Sequence, residues 1–202
     1  MKEPERRSYP CELRVSERGA EPHIIGHAAV FNTLSEDLGG FREQIDPGAF
    51  NDTLDADVRA LKNHDPNMIL GRTKAGTLTL SVDELGLRYD IQLPKTTFAA
   101  DLIESVRRGD ISQSSFAFRA LDDKWNKHDG QDVRTIVRAE LIDVSPVTYP
   151  AYNTTDTSVA RRSLEYQKQV EAGLDSDYIN RVRRWEFEQA EFEAMLKEDR
   201  KK

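Results

Sequence analysis

Between positions 23 and 147 the chain is built from short runs of β-branched or alternating apolar residues, each cut off by Gly, Pro, Asp or Asn. Runs of that length and period suit strands and are too short for a helical core. The segments are His23 to Phe31, Val58 to Asn63, Thr77 to Val82, Leu87 to Leu93, Ser112 to Leu121 and Val133 to Val147. Asp83-Glu84-Leu85-Gly86 lies between two of them and predicts a hairpin. Two helices interrupt the pattern. One is short and starts near Asp46-Pro47-Gly48; the other runs from about Thr97 to Arg108, with a Thr cap, basic residues in its last turn and Gly109 as its stop. Many strands and few helices predict a mainly β, α+β chain, a closed β-barrel with helices packed outside it.

At 202 residues the chain has room for one domain and an appendage, since single domains cluster near roughly 100 to 150 residues. Residues 1–10 read as a polar N-terminal arm, 11–160 as the domain and 161–202 as a charged helical tail. The last segment holds ten Lys plus Arg and ten Asp plus Glu, so the net charge of −7 comes from residues 1–160. Tyr178, Val182, Trp185, Phe192 and Leu196 follow a three-four spacing broken by Gln189, which predicts an amphipathic helix. Such a stripe packs back on its own domain, or serves as an assembly helix, as in a homo-oligomer.

Acidic balance argues against a nucleic-acid partner held by phosphate neutralisation. No apolar run reaches the roughly 20 residues of a membrane span, and the charged start, Met1-Lys2-Glu3-Pro4-Glu5-Arg6-Arg7, is not followed by a signal-type apolar stretch. The expected compartment is the cytoplasm. Cys11 is the only cysteine, so neither an internal disulfide nor a cysteine-based zinc site is expected. An isolated Cys is more often a small apolar residue than a nucleophile.

No cofactor or metal is expected. His23, His27, His64 and His128 are scattered, with no His-Glu-x-x-His, and Gly39-Gly40 lacks the Lys-Ser/Thr ending of a phosphate loop. His23 and His27 share a strand face without an evident third ligand. His128, in Asn126-Lys127-His128-Asp129-Gly130, reads as part of a polar hairpin turn. His64 stands where the apolar run ending at Leu61 gives way to Asn63-His64-Asp65-Pro66, so its imidazole either faces a cleft or is simply solvated. In Gln113-Ser114-Ser115-Phe116-Ala117-Phe118, alternation sends Ser114, Phe116 and Phe118 to one face and Ser115 and Ala117 to the other. If the phenylalanines take the core, Ser115 sits beside a small neighbour with space for a carbonyl; the alternative is a Ser-rich strand bonding only to its neighbours. In Glu140-Leu141-Ile142-Asp143-Val144-Ser145, a carboxylate between Ile142 and Val144 needs a partner. Simple alternation puts Asp143 with Leu141 and Ser145, and Glu140 on the other face, so that one of the two acids faces the cleft.

These pieces occur in a telling order. Gly26-His27-Ala28-Ala29-Val30-Phe31-Asn32, Ile45-Asp46-Pro47-Gly48-Ala49-Phe50, Asn63-His64-Asp65, Leu70-Gly71-Arg72, Gly109-Asp110-Ile111 leading to Ser115-Phe116-Ala117-Phe118, and Val144-Ser145-Pro146-Val147-Thr148-Tyr149-Pro150-Ala151-Tyr152 together resemble the prohead maturation proteases of tailed phages. The resemblance covers about residues 22–155. It departs from the family at Gln113-Ser114, where Gly-Met or similar small and apolar residues are common. It implies a closed β-barrel similar to that of the herpesvirus assemblin proteases. It also implies proteolysis of major capsid protein extensions or of scaffold protein inside a procapsid in the bacterial host; the rival is a non-catalytic scaffold or adaptor protein of the procapsid. Carried over, Ser115 is the nucleophile and His64 the base. The third residue of the assemblin relatives lies at a similar distance beyond the serine, which favours Asp143 over Glu140.

Overall fold

Ten strands and two helices make up the computed structural model, which describes residues 4–9, 13–18, 21–149 and 158–171. Strands β1 (Glu5–Tyr9), β2 (Leu13–Arg18), β3 (Glu21–Val30), β4 (Phe41–Ile45), β5 (Arg59–Lys62), β6 (Asp65–Arg72), β7 (Leu78–Val82) and β8 (Gly86–Gln92) precede helix α1 (Thr97–Arg108). The long strands β9 (Gln113–His128) and β10 (Gln131–Val147) follow, and then α2 (Ser158–Glu171). The chain divides into two units, 1–159 and 160–202; Cys11 and the apolar stripe at 178–196 lie outside the described residues.

The expected closed barrel is not what forms. The strands sort into a six-stranded sheet, ordered β1-β9-β10-β5-β6 with β4 also on β10, and a four-stranded sheet, ordered β2-β3-β8-β7. Among the described residues neither closes on itself: β1 pairs only with β9 and β6 only with β5, and the edges of the smaller sheet are β2 and β7. Closing both into one barrel would need β1 and β6 each to hydrogen-bond to one of the edges β2 and β7. Instead the two sheets share one core, with Ile24, Leu87, Tyr89 and Ile91 from the smaller sheet and Phe116, Phe118, Ile136 and Val144 from the larger. Phe116 stacks on Phe118 and meets Phe50 edge-on.

Strand β10 organises the larger sheet. It runs antiparallel to β9 over its length, and parallel to β4 at 132–136 and to β5 at 143–144. Asp129 and Gly130, both at positive φ, turn β9 into β10. The sheet partner β1 is a departure from the expected polar arm. Its alternate residues Glu5, Arg7 and Tyr9 point inward and are buried. Arg7 donates to Glu43 at 2.9 Å and to Glu5 at 2.7 Å, while Arg134 donates to Glu5 at 2.8 Å, to Glu43 at 2.9 Å and to Asp123 at 2.6 Å. Burial disfavours the charge on Arg7, but Glu43 and Glu5 outweigh it and hold the guanidinium above its ordinary range. Mutual satisfaction is what lets these charges be interior.

Helix α1 spans the expected residues. Thr96 occupies its N-cap without a side-chain bond, and Gly109, at φ 81°, closes it with its N–H on Val106. Ala99, Leu102 and Val106 recur at helical spacing and form its buried stripe. The short helix expected near Asp46 is a turn followed by one 3-10 turn at Asn51–Thr53.

Candidate active site

Asn63 and His64 are the two central residues of the turn that joins β5 to β6, with φ of 55° and 57°. A two-residue turn of this twist demands positive φ at both positions. Asn and His are among the non-glycine residues that visit that conformation most often, each at a backbone cost of order 1 kcal/mol. The turn is clamped to the end of β10. The Asn63 N–H donates to the Pro146 carbonyl at 3.0 Å, the Thr148 N–H donates to Asn63 Oδ1 at 2.8 Å, and Asn63 Nδ2 donates to Thr148 Oγ1 at 3.2 Å. The outcome is an imidazole aimed back over the sheet.

On β9, alternation works as expected. Phe116 and Phe118 enter the core, and Ser114 shares their side, its hydroxyl bonded to Tyr89 at 2.6 Å. Ser115 takes the other face beside Ala117 and approaches His64 Nε2 to 2.7 Å. Its Oγ also donates to the Arg7 carbonyl at 2.9 Å.

On β10 the alternation is broken. Leu141 pairs with Phe118 and Asp143 with Ala117, so Ile142 is an extra residue, a β-bulge. Cross-strand partners share a face. Leu141 therefore stays in the core with Phe118, while Asp143 emerges beside Ala117, on the face of Ser115. Simple alternation had put Leu141 and Asp143 together and Glu140 opposite. With the bulge, Glu140, partnered with Arg119, lies on the same face as Asp143. Distance separates the two acids: Glu140 binds Arg119 at 3.0 Å near the surface, whereas Asp143 Oδ1 lies 2.6 Å from His64 Nδ1.

The structure thus brings Ser115, His64 and Asp143 into one hydrogen-bonded line from three elements of one sheet. All three are nearly enclosed: Ser115 is 0% and Asp143 5% exposed, and the His64 side chain 9%. A carboxylate can only accept, so Asp143 accepts a hydrogen bond from His64 Nδ1–H, which leaves Nε2 as an acceptor for the serine hydroxyl. His23 and His27 instead pair with Asp90 at 2.7 Å and Asp83 at 2.8 Å on the smaller sheet. Sequence reasoning missed Ser145. Its hydroxyl donates to Asp143 Oδ1 at 2.9 Å and accepts the His64 backbone N–H at 3.3 Å. Asn63 was missed as well. Positive-φ tolerance of Asn before His64 was the one signal available.

Acid, imidazole and hydroxyl in this order are the parts with which serine hydrolases activate an alcohol. The chain belongs to the caudovirus prohead serine protease family, whose model matches residues 10–170. It is a serine protease of phage head maturation. A solved structure, the bacteriophage T4 capsid assembly protease, is similar to it at 11% identity with a TM-score of 0.44, over 72% of this chain and 99% of that one. No curated protein matches the chain.

Proposed function

We propose that Ser115 is the nucleophile, His64 the general base and acid, and Asp143 the residue that orients His64. The observation that supports this is the continuous pair of contacts at His64, 2.7 Å to Ser115 and 2.6 Å to Asp143. In this reading Ser115 Oγ attacks the scissile carbonyl carbon as its proton passes to His64 Nε2. The resulting imidazolium, held by the Asp143 carboxylate, returns that proton to the departing amine. An acyl ester on Ser115 is left, and a water activated by the same imidazole hydrolyses it. Asp143 stays ionised throughout.

The substrates in this reading are the major capsid protein, a scaffold protein, or both, cleaved inside the assembling procapsid in the bacterial cytoplasm. The test is co-expression with the capsid protein of the same phage and mass spectrometry of the products. Ser115→Ala abolishes processing, while Ser114→Ala, on the Tyr89 side of the strand, retains most of it. The reverse pattern moves the nucleophile to Ser114, and full processing by both variants favours an adaptor role.

A further inference from the structure

We infer that Ser145 is a positioning residue of the site, a fourth side chain that locks the acid and the base into one geometry. The inference rests on the roles proposed above for Ser115, His64 and Asp143. Ser145 is fully buried and stands directly opposite Ser115 in the β9–β10 register. Being two residues beyond Asp143, past the bulge, it projects from the same face as that carboxylate.

A hydroxyl has one proton and two lone pairs, and both capacities of Ser145 serve the site. Its proton goes to Asp143 Oδ1, the same oxygen that accepts His64 Nδ1–H. Two donors on one oxygen fix the carboxylate's rotation, so its lone pair stays aligned with the imidazole. The oxygen of Ser145 meanwhile accepts the backbone N–H of His64. That bond holds a residue whose left-handed φ of 57° carries a backbone cost. One side chain therefore ties the backbone of the base to the side chain of the acid. A merely structural serine would need only one of these bonds, and neither would have to end on the site.

The test uses the full-length protein and a peptide spanning the cleavage site mapped in the co-expression experiment. Ser145→Ala and the near-isosteric Ser145→Cys, whose thiol is a weak donor, lower kcat roughly 10- to 100-fold, the range expected for losing a hydrogen bond to a charged group. KM stays within about twofold, because no substrate contact is removed. Ser145→Thr, which keeps the hydroxyl, recovers most of the rate. In parallel, the deshielded Nδ1–H proton resonance of His64 shifts or broadens in the Ala and Cys variants and not in the Thr variant. Cys keeps the comparison available if the Ala variant fails to fold. Wild-type kcat in a folded Cys or Ala variant with an unmoved His64 resonance overturns the inference, as does a rise in KM that accounts for the whole loss. Ser115→Ala and Asp143→Asn are run alongside. Their inactivity together with a fully active Ser145→Ala sinks this inference alone, whereas activity in Ser115→Ala sinks the reading beneath it.

Discussion

The hydroxyl of Ser115 lies 2.9 Å from the backbone carbonyl of Arg7, a residue 108 positions earlier in the chain. Since His64 Nε2 is 2.7 Å from the same oxygen, two acceptors compete for a single proton. The first strand is thus part of the surroundings of Ser115. The polarity of that strand has a consequence for stability.

Arg7 is held between Glu5 and Glu43 with almost no solvent. Replacing it by Met leaves two carboxylates to share Arg134. Breaking a buried pair from one side costs about 3–5 kcal/mol, so Arg7→Met should lower the urea midpoint markedly and reduce activity with it. Asp123→Asn, at the better-solvated end of the same network, should cost about 1 kcal/mol or less. Equal midpoints for the two variants would show that the charges are not coupled as described.

Asp143→Asn should cut kcat by up to about ten-thousand-fold while leaving the domain folded, because an amide stabilises neither the required tautomer nor the imidazolium. Glu140→Gln removes only a surface contact with Arg119 and should turn over near the wild-type rate. Peptide kinetics on the two folded variants decides between them; loss in Glu140→Gln with a normal Asp143→Asn would transfer the role.

The hairpin that carries His64 is closed at its base by Asp57, which receives Arg72 Nε and Nη2, both at 2.7 Å. Those bonds from Arg72 hold the Asp57 carboxyl down at about 2. An acid with a depressed native value stabilises the fold above its unfolded value near 4, and the benefit is lost as pH falls through the native value. Wild type should therefore be more heat-stable than Asp57→Asn at neutral pH, with the gap closing between about pH 4 and pH 2. A constant gap across that window would exclude the linkage.

Residues 161–202 are balanced in charge, and we propose that they direct the protease into the shell. A chain ending at Thr157 should still cleave a peptide yet fail to copurify with proheads. Normal incorporation of the shortened chain would leave packing as the segment's only role.

Local pattern made much of this readable before any coordinates. Alternation around Phe116 and Phe118 placed Ser115 and Ser114 on their observed faces, and the Asp83–Gly86 turn and the Gly109 stop fell where β8 begins and α1 ends. What escaped depends on residues far apart in the chain. Glu5 and Arg7 look like a solvated arm until Glu43, 36 residues beyond Arg7, and Arg134, 129 beyond Glu5, supply their partners. The outer half of β9, from Leu121 to His128, carries mostly exposed polar residues, so no apolar run marks it. Sheet closure depends on which edges meet, and period-two patterning is silent on that. The bulge at Ile142 was invisible for the same reason. Simple alternation puts Asp143 on the face of Leu141, which the strand does not follow, so pattern alone could not choose between Asp143 and Glu140.

The candidate site draws on β1 for the Arg7 carbonyl, on the β5–β6 turn for His64, on β9 for Ser115 and on β10 for Asp143. Pairings that span most of a chain form slowly and late. A growing chain on the ribosome holds His64 and Ser115 before it holds Asp143, which arrives on the last strand of the sheet. In the reading proposed above, a chain that has not finished folding lacks the aligned machinery to cut anything. The architecture ties the onset of a destructive activity to the completion of its own folding.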